Sequence, residues 1–96
     1  MNAEIVVLGS GTSMGVPTLG CTCAVCTSTD RRNRRTRPYI AIEWQEEDRP
    51  YTVLIDTGPD FREQALREKI RHVDAVLYTH AHADHILGMD DLRPLS

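Results

Sequence analysis

Residues 79–88 read Thr79-His80-Ala81-His82-Ala83-Asp84-His85-Ile86-Leu87-Gly88, directly after the apolar run Ala75-Val76-Leu77-Tyr78. Three of the chain's four histidines and one aspartate fall within six residues of this stretch, a density of ligand-type side chains that a chance surface cluster does not explain. Side chains two apart on an extended segment project to the same side, so His80 and His82 are placed to bind one divalent metal. Asp84 and His85 follow where the chain turns toward a helix, in position for a second metal. Two such ions about 3.5–4 Å apart can share a bridging hydroxide and clamp the attacking and leaving oxygens of a phosphoryl or acyl centre. Neutral imidazole and carboxylate suit zinc, and they also accommodate manganese or iron. No nucleophilic serine or cysteine is required.

The segments upstream of this motif set its context. Leu54-Ile55-Asp56-Thr57-Gly58 closes a β-rich stretch that begins at Tyr51, and Tyr39-Ile40-Ala41-Ile42-Glu43-Trp44 is a second such stretch. The polar connection at residues 45–50 predicts a hairpin between them. Asp60, with Glu63 three residues on, reads as a helix cap, and Phe61, Ala65, Leu66 and Ile70 mark one helical face as far as Arg71. Residues 75–79 predict a further buried strand that delivers the chain into His80. Near the start, Ile5-Val6-Val7-Leu8 predicts a strand that runs into Gly9-Ser10-Gly11-Thr12-Ser13-Met14-Gly15. This glycine loop is no dinucleotide fingerprint, because Val16-Pro17 follows and no helix begins there to receive a pyrophosphate. With no repeat or linker, residues 1–96 read as one domain of α/β class.

Cys21, Cys23 and Cys26 are the only cysteines, and all lie within six residues. An odd, tight set of this kind argues for metal ligation or a reactive thiol rather than a disulfide framework. The C-x-C-x-x-C spacing lets three thiolates take three corners of a zinc tetrahedron. Charge is uneven: residues 1–38 hold five arginines against Glu4 and Asp30, and residues 39–96 hold six basic against twelve acidic side chains. The five arginines crowd into Arg31-Arg32-Asn33-Arg34-Arg35-Thr36-Arg37, which reads as a solvated or ion-paired loop, with phosphate recognition as the alternative. At 5% aromatic residues, none among the arginines, no stacking platform for single-stranded nucleic acid is visible, so nucleic acid is not the favoured partner. The longest aliphatic run is four residues, far short of the roughly 20 a membrane helix needs. Met1-Asn2-Ala3-Glu4 has no basic leader, so no membrane partner and a cytoplasmic location are expected.

His80-x-His82-x-Asp84-His85, with Asp56 at the end of an earlier strand, resembles the metal-binding signature of the metallo-β-lactamase superfamily. The resemblance implies that His80 and His82 bind the first metal and that Asp84 and His85 bind the second. Asp56 would then be the aspartate that steadies the metal loop, so that Asp84 and Asp56 are the catalytic carboxylates. The segment from Leu8 to Pro17 resembles the opening of a phosphodiesterase branch that includes tRNA 3′-processing endonucleases. Gly20-Cys21-Thr22-Cys23-Ala24-Val25-Cys26 resembles the structural zinc loop of the phosphoribosyl 1,2-cyclic phosphate phosphodiesterase group. It implies one structural zinc on Cys21, Cys23 and Cys26, completed by a histidine further on. Arg93 is a candidate contact to a substrate phosphate.

Members of the superfamily take their remaining ligands from positions well downstream, so the 96 residues hold four of seven expected catalytic ligands and three of four for the structural zinc. The expectation is an N-terminal fragment, half of an αββα sandwich, with an apolar sheet face open to water and little or no hydrolysis by itself. The lead function is a metal-dependent phosphodiesterase acting on a small cyclic phosphate, with a homodimer allowed for the full-length form. An endoribonuclease of the same fold is the first alternative, and a non-catalytic zinc module that binds nucleic acid through the arginine run is the second.

Overall fold

A computed structural model of the chain describes residues 2–79 and 83–95. His80 and His82, the two candidate ligands of the first metal, lie outside the described residues. The strands are β1 (Ala3–Val7), β2 (Ile40–Glu46), β3 (Arg49–Ile55) and β4 (Ala75–Leu77), and the helices are α1 (Phe61–Arg67) and the short α2 (Ala83–Ile86). They form one sheet in the order β1-β2-β3-β4, antiparallel except for the parallel β3–β4 pair that α1 bridges. The mixed α/β class read from the sequence is the one observed.

The predicted hairpin is present, but its connection is tighter than residues 45–50. The ladder runs on to the pair Glu46↔Arg49, leaving Glu47 and Asp48 as a two-residue turn with φ of 53° and 63°. Two successive left-handed residues are what a type I′ turn requires to match the twist of the strands. The helix also departs from its predicted bounds. Asp60 makes no side-chain cap, because its carboxylate accepts instead from the Arg37 backbone N–H and guanidinium, each at 3.0 Å. At the other end the helix stops at Arg67, not Arg71: Lys69 turns left-handed (φ 57°) and Ile70 N–H donates back to Ala65 C=O at 2.9 Å. This Schellman closure swings Ile70 into the core beside Ala65, whereas Leu66 stays exposed.

The core lies on one side of the sheet, where Leu8, Tyr39, Ala41 and Leu54 meet Phe61, Ala65 and Ile70. The opposite face carries Ile5 and Val7 of β1, Ile40 and Ile42 of β2, Val53 and Ile55 of β3 and Leu77 of β4, in register across all four strands. Among the described residues nothing covers it fully, and Ile5, Val7 and Leu77 are 69%, 58% and 58% exposed. No helix among the described residues is long and apolar enough to cross a membrane.

Candidate metal centre

Asp56 organises the site. It follows the last residue of β3 and takes a left-handed conformation (φ 64°), which aspartate tolerates better than most non-glycine residues. Its N–H donates to Leu77 C=O at 2.9 Å, so the turn-out is fixed across the parallel β3–β4 pair. The buried carboxylate then points at the segment leaving β4. Oδ1 accepts from Thr79 N–H at 2.8 Å, and Oδ2 accepts from Thr79 Oγ1 at 2.8 Å and meets His85 Nδ1 at 2.7 Å. Burial disfavours the charged form, but the Thr79 amide and hydroxyl and the His85 ring outweigh it and hold the carboxyl below its usual range.

With Nδ1 directed to Asp56, the other ring nitrogen of His85, Nε2, faces Asp84, whose Oδ2 lies 3.0 Å away. Two ligand atoms each about 2.0–2.1 Å from one ion stand about 2.9–3.4 Å apart at octahedral to tetrahedral angles, so this spacing fits joint coordination. The carboxylate–histidine–metal relay is the usual way to fix a ligand's tautomer and raise its basicity. Asp84 and His85 are thus brought together with Asp56.

Several residues that the sequence did not single out hold this arrangement. Tyr39, just before β2, is fully buried and donates its hydroxyl to Asp84 C=O. Burial, followed by the charge of Asp60, raises its phenol well above the ordinary range, so it remains a neutral donor. Thr57 N–H donates to His85 C=O at 2.8 Å, its C=O accepts from Gly88 N–H at 2.8 Å, and its Oγ1 pairs with the Tyr78 hydroxyl at 2.7 Å. Gly58 is needed for close approach: a Cβ there would overlap both the Tyr39 hydroxyl and the Asp84 carbonyl. The signal for these residues was partial, since Thr57 and Gly58 stand directly after Asp56 but Tyr39 reads from the sequence only as a strand residue.

The cysteine loop forms a second, separate cluster. The ligand atoms of Cys21, Cys23 and Cys26 all lie within 4.8 Å of one another. Thiolates on one zinc are about 3.8 Å apart for a Zn–S length of about 2.3 Å, so a small contraction suffices. Cys26 N–H approaches Cys23 Sγ at 3.4 Å, and Thr18 N–H approaches Cys26 Sγ at the same distance. The Cys26 amide, followed by the neighbouring thiols of Cys21 and Cys26, lowers the Cys23 thiol to about 7, which favours the ligating thiolate. Arg93 lies elsewhere, exposed on the turn Met89–Leu95 and paired with Asp90 at 3.1 Å. It lines a groove with Phe61, Arg62 and Leu66, and Asp56, Asp84 and His85 are not among the residues of that groove.

Comparison with known proteins follows the same line. The profile of a Beta-lactamase superfamily domain matches residues 51–96. A protein named Octanoyltransferase from Porphyromonas gingivalis is 52% identical over 90 residues, covering 94% of this chain but 18% of its own length. Coenzyme PQQ synthesis protein B from Methylobacterium radiotolerans is 35% identical, with 94% of this chain and 33% of that protein covered. Among solved structures, one described as a new diphosphatase from the PhnP family is 63% identical with a TM-score of 0.87, over 99% of this chain and 36% of the other. Zn²⁺-bound PqqB from Methylobacterium extorquens is 28% identical with a TM-score of 0.75, over 96% and 34%. The chain spans about a third or less of the length of these relatives.

Proposed function

Because the chain belongs to the metallo-β-lactamase superfamily, we propose that it supplies one wall of the metal centre of a hydrolase acting at phosphorus, on a phosphodiester and in particular a small cyclic phosphate. The observation that supports this most is the alignment of Asp56, His85 and Asp84, in which a buried carboxylate fixes a histidine whose other nitrogen converges with a second carboxylate. His80 and His82 join Asp84 and His85 as the proposed ligands of two divalent ions, zinc favoured. When bound, such ions supply Lewis-acid activation of water and of the phosphoryl oxygens.

The chain's own residues do the rest. Asp56 keeps the proton of His85 on Nδ1, so that Nε2 stays available as a donor atom. Tyr39 and Thr57 pin the backbone carbonyls of Asp84 and His85, which sets where their side chains aim. Asp84 is only partly buried, so its carboxylate stays within reach of an ion from solvent. Cys21, Cys23 and Cys26 would hold a structural zinc, which would brace their loop outside the reaction. A second reading, hydrolysis of a diphosphate, is favoured by the 63% identical neighbour described as a diphosphatase.

A graft of residues 1–96 onto the remaining length of that neighbour tests the proposal. Metal-dependent release of p-nitrophenol from bis(p-nitrophenyl) phosphate, lost in Asp84→Ala, is the expected result, and the same graft acting on pyrophosphate esters alone favours the second reading. A folded, metal-loaded graft that hydrolyses neither rules out both.

A further inference from the structure

The arginine run has no part in the site above, and its geometry is uneven. Arg32 closes on Asp30 at 2.7 Å, and Arg37 is held by Asp60 at 3.0 Å and by Ser13 C=O at 2.9 Å. Arg34 and Arg35 meet no carboxylate among the described residues, although their backbone is fixed. Arg35 forms a two-bond bridge with Val16, N–H to C=O at 2.8 Å each way, and Gly11 N–H donates to Thr36 C=O at 2.8 Å. Arg35 Nε donates to Arg32 C=O at 3.3 Å, so the nitrogens left for a ligand are those of Arg34 and the two Nη atoms of Arg35, on a braced segment.

They border a depression of about 330 Å³, together with Gly9, Ser10, Thr36 and Arg67. Arg67 enters from α1 and is anchored from below, its Nη2 donating to Leu8 C=O at 2.6 Å. The one carboxylate at the rim, Glu68, is already engaged by Arg67 Nε at 3.0 Å. Three guanidiniums thus face one satisfied carboxylate. At Gly9 and Ser10, which line the same depression, the N–H groups and the Ser10 hydroxyl donate to no acceptor among the described residues, and the backbone at Gly9 lies so close to Arg37 C=O that a Cβ would overlap it. Successive unpaired N–H groups in one depression with guanidinium forks suit the tetrahedral oxygens of a phosphate better than the flat, two-oxygen edge of a carboxylate.

We propose that this depression binds a phosphate group of a small ligand, held by Arg34, Arg35 and Arg67 and by the Gly9-Ser10 amides, at a site distinct from both metal clusters. The site does not rest on the hydrolase reading, since none of the candidate metal ligands takes part. A ligand with two phosphate groups gains a second anchor from the same arginines, so pyrophosphate is expected to bind more tightly than inorganic phosphate.

Calorimetric titration of the purified protein with inorganic phosphate and with pyrophosphate, in the presence of a chelator, tests the site. The expected result is one site per chain, weakened about tenfold or more by Arg34→Gln with Arg35→Gln and less by Ser10→Ala. Arg31→Gln removes a charge from the same run but not from the depression, and it should leave affinity unchanged. Because Arg34 and Arg35 are exposed, and the one side-chain bond lost is the 3.3 Å bond from Arg35 Nε to Arg32 C=O, the double variant is expected to keep the wild-type circular dichroism spectrum. A second variant, Ser10→Asp, brings a repelling carboxylate to the lining of the depression and should abolish binding. Binding that survives the double variant, that falls equally with Arg31→Gln, that disappears on chelation, or that acetate reproduces overturns the proposal.

Discussion

Replacing Asp56 by Asn removes one charge and almost no volume, and it separates the two roles of this residue. The carboxylate satisfies three donors, Thr79 N–H, Thr79 Oγ1 and His85 Nδ1. In the Asn variant the amide oxygen can keep the Thr79 N–H bond, while the NH₂ takes the place of Oδ2. The Thr79 hydroxyl can rotate to accept from it, but His85 Nδ1 can accept only by giving up its proton, which then moves to Nε2. Net hydrogen bonds to charged groups are worth about 1.5–3 kcal/mol each, so weakening one fully and two in part costs about 2–3 kcal/mol in all. The same switch protonates the nitrogen that faces Asp84, so metal affinity should fall about 10–100-fold. Asp56→Ala removes both acceptor oxygens, leaves all three donors unmet, and should cost about 3–5 kcal/mol, as expected when one partner of a buried charged pair is lost. Urea unfolding in chelator measures the first quantity, and ¹⁵N shifts of the His85 ring report the tautomer. An Asn variant within about 0.5 kcal/mol of wild type, with His85 still protonated on Nδ1, would refute the hub assigned to Asp56.

Other expectations follow from the same geometry. Gly58→Ala drives a methyl group into the Tyr39 hydroxyl and the Asp84 carbonyl and should destabilise by about 2–4 kcal/mol, read by urea midpoint. Tyr39→Phe leaves the Asp84 carbonyl without its buried donor and should cost about 1–2 kcal/mol; an unchanged midpoint would show that the contact contributes nothing. Asp74 is held below the usual carboxylate range by the Thr52 amide first, then by His72 and Arg49. A lowered folded-state value means its stabilisation is full above the unfolded-state pKa of about 3.9 and disappears as pH falls through the folded value. The gap in melting temperature between wild type and Asp74→Asn should therefore narrow from pH 7 to pH 3, and a widening gap would reverse the sign. Cys23→Ser should lower zinc content by one equivalent and leave the secondary structure of the sheet intact.

The sequence carried much of this architecture because its signals are local. Strand periodicity placed β1, β2, β3 and β4, and the place of Asp56 beside Asp84 and His85 was implied only by the family resemblance. What escaped depended on competition between partners. Asp60 is well placed in sequence to cap α1, yet Arg37, 23 positions away, takes its carboxylate. Ile70 continues the helical repeat, yet the left-handed Lys69 ends the helix and uses Ile70 as a core residue instead. Tyr39 reaches Asp84 across 45 positions, and nothing local to either residue signals that contact. The arginine run read as a solvated or ion-paired loop, and the structure pairs Arg32 with Asp30 and Arg37 with Asp60 while Arg34 and Arg35 meet no carboxylate among the described residues.

The central claim is that Asp84 and His85 belong to a metal centre independent of the cysteine cluster. The most direct measurement is the metal content of a protein in which Cys21, Cys23 and Cys26 are all serine, equilibrated with zinc and then desalted, with and without the further change His85→Ala. The account predicts that the triple-serine protein still retains zinc and that His85→Ala removes it. A triple-serine protein that holds no zinc, or one whose zinc content is indifferent to His85, would contradict it.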